Sequence, residues 1–137
     1  MNKRVRMKGE KSFSKQERIV SQKLIDKLFS GDGSHTRAAF PLRVVYAIAD
    51  SRGLMPPVQV LVSVPKRRLR LAVERNRVKR QVREAYRLNK HLLLTAIPVG
   101  QSASLAFIWQ TDRLFSSDTV EERMRSLLNH IAQRLKA

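Results

Sequence analysis

The chain has 137 residues, no cysteine and a formal net charge of +17, from 28 Lys and Arg residues against 11 Asp and Glu. Its length fits one domain, and its hydrophobic fraction of 42% argues against wholesale disorder. The lack of cysteine excludes disulfides, thiol catalysis and thiolate metal sites. So large a positive charge indicates a polyanionic partner, with nucleic acid the first candidate and an acidic membrane surface the second.

The membrane candidate is the weaker one. No run approaches the roughly 20 apolar residues that span a bilayer, and no apolar stretch follows the basic N-terminus MNKRVRMKGEKSFSK, as a secretory signal would require. We therefore expect a cytoplasmic protein that binds no membrane.

Basic residues are concentrated in two segments. Residues 1–23 hold eight Lys or Arg, and residues 66–90 hold eleven against Glu74 and Glu84. We predict a basic, flexible arm over residues 1–16 and a single folded, nucleic-acid-binding domain over residues 17–137. Because a merely solvated surface would spread its charge, the second segment is the candidate contact site.

The first predicted element is a short helix over about residues 21–29. Ser21 can cap it, Gly31 lies where it would stop, and one side is apolar, formed by Leu24, Ile25, Leu28 and Phe29. Residues 43–50 then predict a strand rich in β-branched and aromatic types, and residues 51–57 predict a turn.

Valine alternates with other residues from Val58 to Val64, which predicts a second strand that ends at Pro65. A helix over about residues 73–93 and a strand over residues 104–110 follow. A capping box of Asp118 and Glu121 is expected to begin the last helix, whose apolar side is formed by Val120, Met124, Leu127, Leu128, Ile131 and Leu135. The order of helix, two or three strands, helix, strand and helix predicts a two-layer α+β sandwich.

The most informative stretch is RNRVKRQVREAYR, residues 75–87. At 3.6 residues per turn, one side of this helix is apolar and is expected to pack on the sheet; it carries Val78, Val82, Ala85, Tyr86 and Leu93. The opposite side carries Asn76, Arg80, Arg83 and Arg87, with Arg75 and Lys79 on the border between the two sides. Arginine binds phosphate through a planar, permanently charged fork, so the pattern indicates binding of nucleic-acid phosphates. The alternative is a solvated side with ion pairs to Glu74 and Glu84, but two acids cannot neutralise eleven bases.

These residues resemble the arginine-rich signature of the bacterial ribonuclease P protein component, and their surroundings agree. The valine-rich strand ending in Ser63-Val64, the following Lys66-Arg67, and Ala72 before the Arg-Asn-Arg are similar to the family, as are Arg18-Ile19 and Leu28-Phe29 followed by Gly31. This chain departs from the family at Ile25, around residues 31–33, and at Arg68-Leu69-Arg70-Leu71, where its loop is one residue longer.

The resemblance implies an α+β sandwich with a left-handed βαβ crossover, which the usual right-handed rule would not predict. It also implies a subunit of the RNA-based endonuclease that removes the 5′ leader of precursor tRNA, with Mg²⁺ in the RNA-containing holoenzyme and no cofactor or metal on the protein alone. The implied contacts with the catalytic RNA are Lys66, Arg67, Asn76, Arg77, Arg80, Arg83 and Arg87. The implied contacts with the leader, in a cleft between the first helix and the sheet, are Phe29, Arg43, Val45, Arg75 and Lys79.

Three other classes of function compete with this interpretation. A self-sufficient nuclease needs a carboxylate cluster or a suitably placed His pair; Asp118, Glu121 and Glu122 are better explained by the start of a helix. A structural RNA-binding protein, such as a ribosomal protein, remains the main alternative on composition. A DNA reader would more often show a helix-turn-helix, so we expect no DNA partner. Phe107 and Trp109 could form a base-stacking platform but are better read as buried sheet residues.

Overall fold

The computed structural model describes residues 26, 28–30, 33–50 and 57–136. Four strands and three helices are defined there: β1 (His35–Ala39), β2 (Leu42–Asp50), β3 (Val58–Ser63), α1 (Ala72–Asn89), α2 (His91–Leu94), β4 (Gln101–Trp109) and α3 (Ser117–Lys136). Asp26, Leu28 and Phe29 are also helical. Within these ranges, no helix is both long enough and apolar enough to cross a bilayer.

The strands form one mixed sheet in the order β1-β2-β4-β3. β2 pairs antiparallel with both β1 and β4, whereas β3 runs parallel to β4, so the chain between β3 and β4, which contains α1 and α2, is a crossover connection. The predicted α+β class is confirmed. The optional third strand before the long helix exists, and it is the edge strand β1.

The main core lies between one face of the sheet and the helices α1 and α3. Every second residue of β2 and β3 points into it, as period-two alternation requires, and β4 contributes the two aromatic residues for which a base-stacking role was the less favoured interpretation. Phe107 and Trp109 are buried there, which confirms their interpretation as core residues. The core-facing strand residues are Leu42, Val44, Tyr46, Val58, Val60, Val62, Ala103, Leu105, Phe107 and Trp109.

A smaller cluster covers the opposite face of the sheet. Leu28, from the helical segment before β1, is buried against Ala106, with Val45, Ala47 and Leu61 packed around them. The predicted first helix is therefore helical at its C-terminal end and packs on the sheet. Its predicted cap Ser21, its apolar residues Leu24 and Ile25, and the predicted stop at Gly31 lie outside the described residues.

The predicted long helix over residues 73–93 is interrupted near its C-terminal end. α1 ends at Asn89, whose buried side-chain amide donates to the Ala85 carbonyl oxygen (2.9 Å) and to Glu121 Oε2 of α3 (3.3 Å). An amide that bonds back to the preceding turn offers the backbone an alternative to continuing the helix. The short helix α2 follows, and its Leu93 still reaches the core as predicted.

The predicted capping box of α3 is wrong in position. Asp118 lies within the helix, and Ser116 provides the cap: its hydroxyl oxygen accepts from the Thr119 backbone N–H at 3.2 Å. Serine satisfies this N–H with the geometry that caps require, so the helix begins earlier than the spacing of acids suggested. Asp118 remains in the first turn, where the helix dipole favours a negative charge.

Candidate RNA interface

The sides of α1 are divided as the sequence predicts. Val78, Val82, Ala85 and Tyr86 are buried in the main core, which fixes the rotation of the helix. On the outward side, Asn76, Arg77 and Arg80 are exposed, and Arg83 and Arg87 are partly buried. A row of basic groups therefore stands on a helix whose other side is held by the core, so that their positions are set before any ligand binds.

One member of this row already binds a carboxylate. Arg87 donates from Nε to Glu84 Oε1 (2.9 Å) and from Nη2 to Glu84 Oε2 (2.5 Å), a two-pronged ion pair on one helix turn. These hydrogen bonds lower the pKa of Glu84 and raise that of Arg87. The ion-pair alternative from the sequence thus applies to Arg87.

The loop before α1 adds further basic residues. Lys66 and Arg67 are exposed in a turn that is closed by the Pro65 carbonyl oxygen, which accepts from the backbone N–H of Arg68 (3.0 Å) and of Leu69 (3.3 Å). The Leu69 side chain is buried in the main core. The longer loop is therefore anchored by an inward leucine, and its basic residues face solvent on either side of that anchor.

Arg75 holds this loop against the helix. Its Nη1 donates to the carbonyl oxygens of Leu69 (2.9 Å) and Arg70 (2.7 Å). Lys79, one turn further along α1, is partly buried, as its border position predicts. Neither Arg75 nor Lys79 lines the cavity on the other side of the sheet, where the remaining three residues of the predicted leader cleft lie.

That cavity has a volume of about 340 Å³ and opens beside the helical segment that precedes β1. Phe29, Arg43 and Val45, all named from the sequence, meet there. Phe29 is 49% exposed, so its ring is available at the surface and is not part of a core. The full lining, among the described residues, is Leu28, Phe29, Ser34, His35, Thr36, Arg43 and Val45.

The position of Arg43 in this cavity is set by a neighbour on the next strand. Arg43 Nε donates to the Thr36 hydroxyl oxygen at 2.9 Å. Within the described residues its terminal amino groups have no further partner, which leaves the anion-binding end of the guanidinium unoccupied. Sequence reasoning missed Ser34, His35 and Thr36, because β1 is short and mostly exposed and so carries no hydrophobic pattern; the polar β-former Thr36 next to a predicted strand was the only available signal.

In the part of the chain that the structure describes, no group of three or more His, Asp or Glu side chains is arranged to hold a metal ion. The chemistry that these surfaces can perform is binding: phosphate at the guanidinium groups of α1, and an aromatic contact combined with one cation in the cavity.

Comparison with known proteins agrees with this chemistry. The family model described as Ribonuclease P matches residues 13–132. The chain is 46% identical over 121 residues to the ribonuclease P protein component of Porphyromonas gingivalis strain W83, covering 88% of this chain and 86% of that protein. It is 32% identical over 120 residues to the protein of the same name from Chlorobaculum tepidum, covering 81% and 74%.

Solved structures share the fold. The RNase P protein of Staphylococcus aureus superposes with a TM-score of 0.64 at 17% identity, over 84% of this chain and 94% of that one. The RNase P protein of Thermotoga maritima gives a TM-score of 0.58 at 22% identity, over 80% and 90%. With a family model that matches most of its length and a relative at 46% identity, the chain belongs to the ribonuclease P protein family and is a protein subunit of that endoribonuclease.

Proposed function

We propose that this subunit binds the catalytic RNA of ribonuclease P through α1 and the loop before it, and binds the 5′ leader of precursor tRNA in the cavity lined by Phe29, Arg43 and Val45. The observation that carries the proposal is the outward row of basic residues on a helix whose inward side is core. An RNA-free function would leave this concentration of charge without a partner.

The contact with the catalytic RNA is proposed to be a phosphate contact. Arg77 and Arg80 are exposed, and the loop adds Lys66 and Arg67; Asn76, Arg83 and Arg87 complete the surface. Phosphate contacts position a protein on RNA and release counterions, which makes binding strongly dependent on salt. Asn76 adds an amide that can bond a sugar or base edge without displacing a counterion.

The leader contact is proposed from the mixture of groups in the cavity. An exposed aromatic ring can stack on a base, the partly buried Val45 contributes apolar surface, and Arg43 can bind a phosphate. Single-stranded RNA presents the base faces and phosphates that these three groups can contact, whereas a duplex hides its base faces.

Arg75 and Lys79 are given a different place in this proposal. Both of the Arg75 hydrogen bonds go to loop carbonyl oxygens, so we assign it the role of bracing the loop that carries Lys66 and Arg67. We assign Lys79 to RNA binding at the border of α1. It can contact the leader only if the RNA extends beyond the cavity.

We propose further that hydrolysis is carried by the RNA and its Mg²⁺, and that the protein alone cleaves nothing. The surface around α1 repels cations and attracts phosphates, and so reduces the amount of Mg²⁺ that the RNA needs for screening. The proposal includes a cytoplasmic location, no membrane or DNA partner, a basic arm over residues 1–16 and one domain over residues 17–137. It also includes a two-layer sandwich of the sheet with α1 and α3, to whose other face the segment with Leu28 is added, and a left-handed crossover from β3 to β4.

The experiment is a comparison of precursor and mature tRNA. Arg43→Ala and Phe29→Ala holoenzymes should bind precursor tRNA more weakly and mature tRNA almost normally, and the difference should vanish as the leader is shortened to one or two nucleotides. Arg77→Ala is the matched control, because it should weaken binding of the catalytic RNA whether or not tRNA is present. Equal losses for precursor and mature tRNA in the Arg43 and Phe29 variants would contradict the assignment of the cavity to the leader.

A further inference from the structure

The edge strand β1 presents basic groups to the helices where its neighbour presents core residues. In the antiparallel register, His35 is paired with Tyr46 and Arg37 with Val44, and paired residues share a face of the sheet. Tyr46 and Val44 are buried under the helices, whereas His35 and Arg37 are exposed. The helix-facing side of the sheet thus ends in a polar, positively charged margin.

One border of α3 runs along this margin. At one end, Arg134 Nη2 lies 3.3 Å from His35 Nδ1, and at the other, Arg123 Nε donates to the Phe40 carbonyl oxygen at 2.9 Å. Eleven residues of helix and five of strand both span about 16 Å, so the two elements can remain in register over this length. We call the surface between them the edge groove; it is formed by His35, Arg37, Arg123, His130 and Arg134.

The edge groove has surplus positive charge. Arg123 pairs with Glu122, but within the described residues neither Arg37 nor Arg134 contacts a carboxylate. Burial and then the charges of Arg37 and Arg134 lower the pKa of His130, so the β1 and α3 groups act on one another. Like charges held this close destabilise one another unless an anion lies between them.

An exposed aromatic ring marks the far end of the groove. Phe40 is 58% exposed and touches Phe115 edge-on, with ring centroids 6.0 Å apart. Its ring is therefore positioned by a neighbour yet remains open to solvent. Cations followed by an open aromatic ring suit single-stranded nucleic acid, which offers phosphates and base faces in succession.

The edge groove and the cavity lie on opposite faces of the sheet and share one residue at its edge. His35 lines the cavity and also contacts Arg134 in the groove, so it stands at the point where the two surfaces meet. We propose that the RNA strand held in the cavity continues past His35, around the sheet edge, into the edge groove, where its phosphates bind Arg37 and Arg134. This inference rests on the proposed leader site and extends it to a longer strand.

An ordinary structural role exists for the same residues. A charged side chain that points inward on an edge strand protects that strand from pairing with another chain. Removal of such a residue would promote self-association and leave RNA affinity unchanged. The two roles are therefore separable by measurement.

The test uses holoenzyme with the double variant Arg37→Ala/Arg134→Ala and a series of precursor tRNAs with leaders of increasing length. The control is Arg125→Ala, which removes one positive charge from the other border of α3, where Arg125 pairs with Glu121. For long leaders, the double variant should flatten the salt dependence of binding by about 1.4 units of log–log slope, at about 0.7 per phosphate on a single strand. For leaders that only fill the cavity, it should match the unaltered protein.

A second arm locates the strand directly. Because the chain has no cysteine, Ser126→Cys, on exposed α3 surface beside the groove, provides a single attachment point for an iron chelate that cleaves nearby RNA. Cleavage is expected in the leader, at nucleotides beyond those protected by the cavity.

Three results would overturn the inference: unchanged affinity for long leaders, equal losses for every leader length and mature tRNA, or tethered cleavage confined to the catalytic RNA. The parallel Arg43→Ala variant separates this failure from failure of the leader site. If Arg43→Ala shows its expected loss of precursor tRNA binding while the double variant binds like the unaltered protein, only the edge groove is refuted.

Discussion

The guanidinium of Arg87 donates hydrogen bonds to both carboxylate oxygens of Glu84 on the outward side of α1. This pair lies within the surface that we assign to the catalytic RNA, so Glu84 competes with phosphate for Arg87. Exposed ion pairs of this kind add little to stability. We expect a larger effect on affinity for the catalytic RNA, because Glu84 places a negative charge among the groups proposed to bind a polyanion.

Glu84→Gln should therefore strengthen binding of the catalytic RNA, by freeing Arg87 and removing a negative charge. The matched control is Glu122→Gln, which makes the same change beside Arg123 on α3 and should leave affinity for the catalytic RNA nearly unchanged. The hydrogen bonds from Arg87 lower the pKa of Glu84 in the folded protein. The ion pair therefore makes its small contribution to folding stability above the unfolded pKa of about 4.3. This contribution is lost as the pH falls through the lower pKa of the folded state. Weaker binding by Glu84→Gln in a titration at neutral pH would contradict the competition.

Arg77→Ala and Arg80→Ala should each lower affinity for the catalytic RNA and flatten its log–log salt dependence by up to about one unit, since one fewer counterion is released. Both side chains are exposed, so the free energy of unfolding should change by no more than about 0.5 kcal/mol. Asn76→Ala should weaken binding with little change in slope. Salt titrations of RNA affinity, with parallel thermal melts, check all three variants. Unchanged affinity and salt slope in both arginine variants would show that the outward side of α1 is solvated and does not bind the RNA.

Val82→Asp should unfold the domain. Val82 is 1% exposed in the main core, and the new carboxylate would be buried without a partner. The loss should exceed about 4 kcal/mol, beyond the usual range for a point mutation, whereas Val82→Ile should retain the fold. A thermal melt of each variant decides; a cooperative, native-like transition for Val82→Asp would show that this side of α1 is not held by the core.

Thr36→Val should weaken leader binding without altering a residue that carries charge. It keeps the shape and β-preference of the side chain but removes the hydroxyl that accepts from Arg43 Nε. We expect a precursor-specific loss of about 1 kcal/mol, the usual net contribution of one hydrogen bond, and smaller than that of Arg43→Ala. In the double variant Thr36→Val/Arg43→Ala the effect of Thr36→Val should disappear; additive losses would show that Thr36 does not act through Arg43.

The parts of the fold that were predictable are those with a strong hydrophobic period. Val58, Val60 and Val62 identified β3, and the spacing of Val78, Val82 and Tyr86 fixed which side of α1 faces the core. The edge strand β1 has only five residues, mostly exposed, so its burial pattern could not be read from the sequence. The partners of β1, and with them the Thr36 contact to Arg43, depend on tertiary pairing.

The site divides in the same way. The arginine row could be predicted because helical spacing determines which residues share a side. The role of Arg75 could not, since its hydrogen bonds go to loop carbonyl oxygens whose positions depend on the buried anchor Leu69. The cap at Ser116 was missed because Asp118 and Glu121 fit the capping-box pattern, whereas Ser116 is followed three residues later by Thr119.

Reconstitution of the holoenzyme decides whether this subunit acts only together with RNA. The purified protein, shown to be free of RNA, is added to a bacterial ribonuclease P RNA and to precursor tRNA at low Mg²⁺, and removal of the 5′ leader is followed over time. We predict no cleavage by the protein alone and a large acceleration when protein and RNA are combined, diminished in a variant that lacks Arg77 and Arg80. Cleavage of precursor tRNA by the RNA-free protein would show that the protein carries hydrolysis itself, and no acceleration by the intact protein would show that it does not assist the RNA.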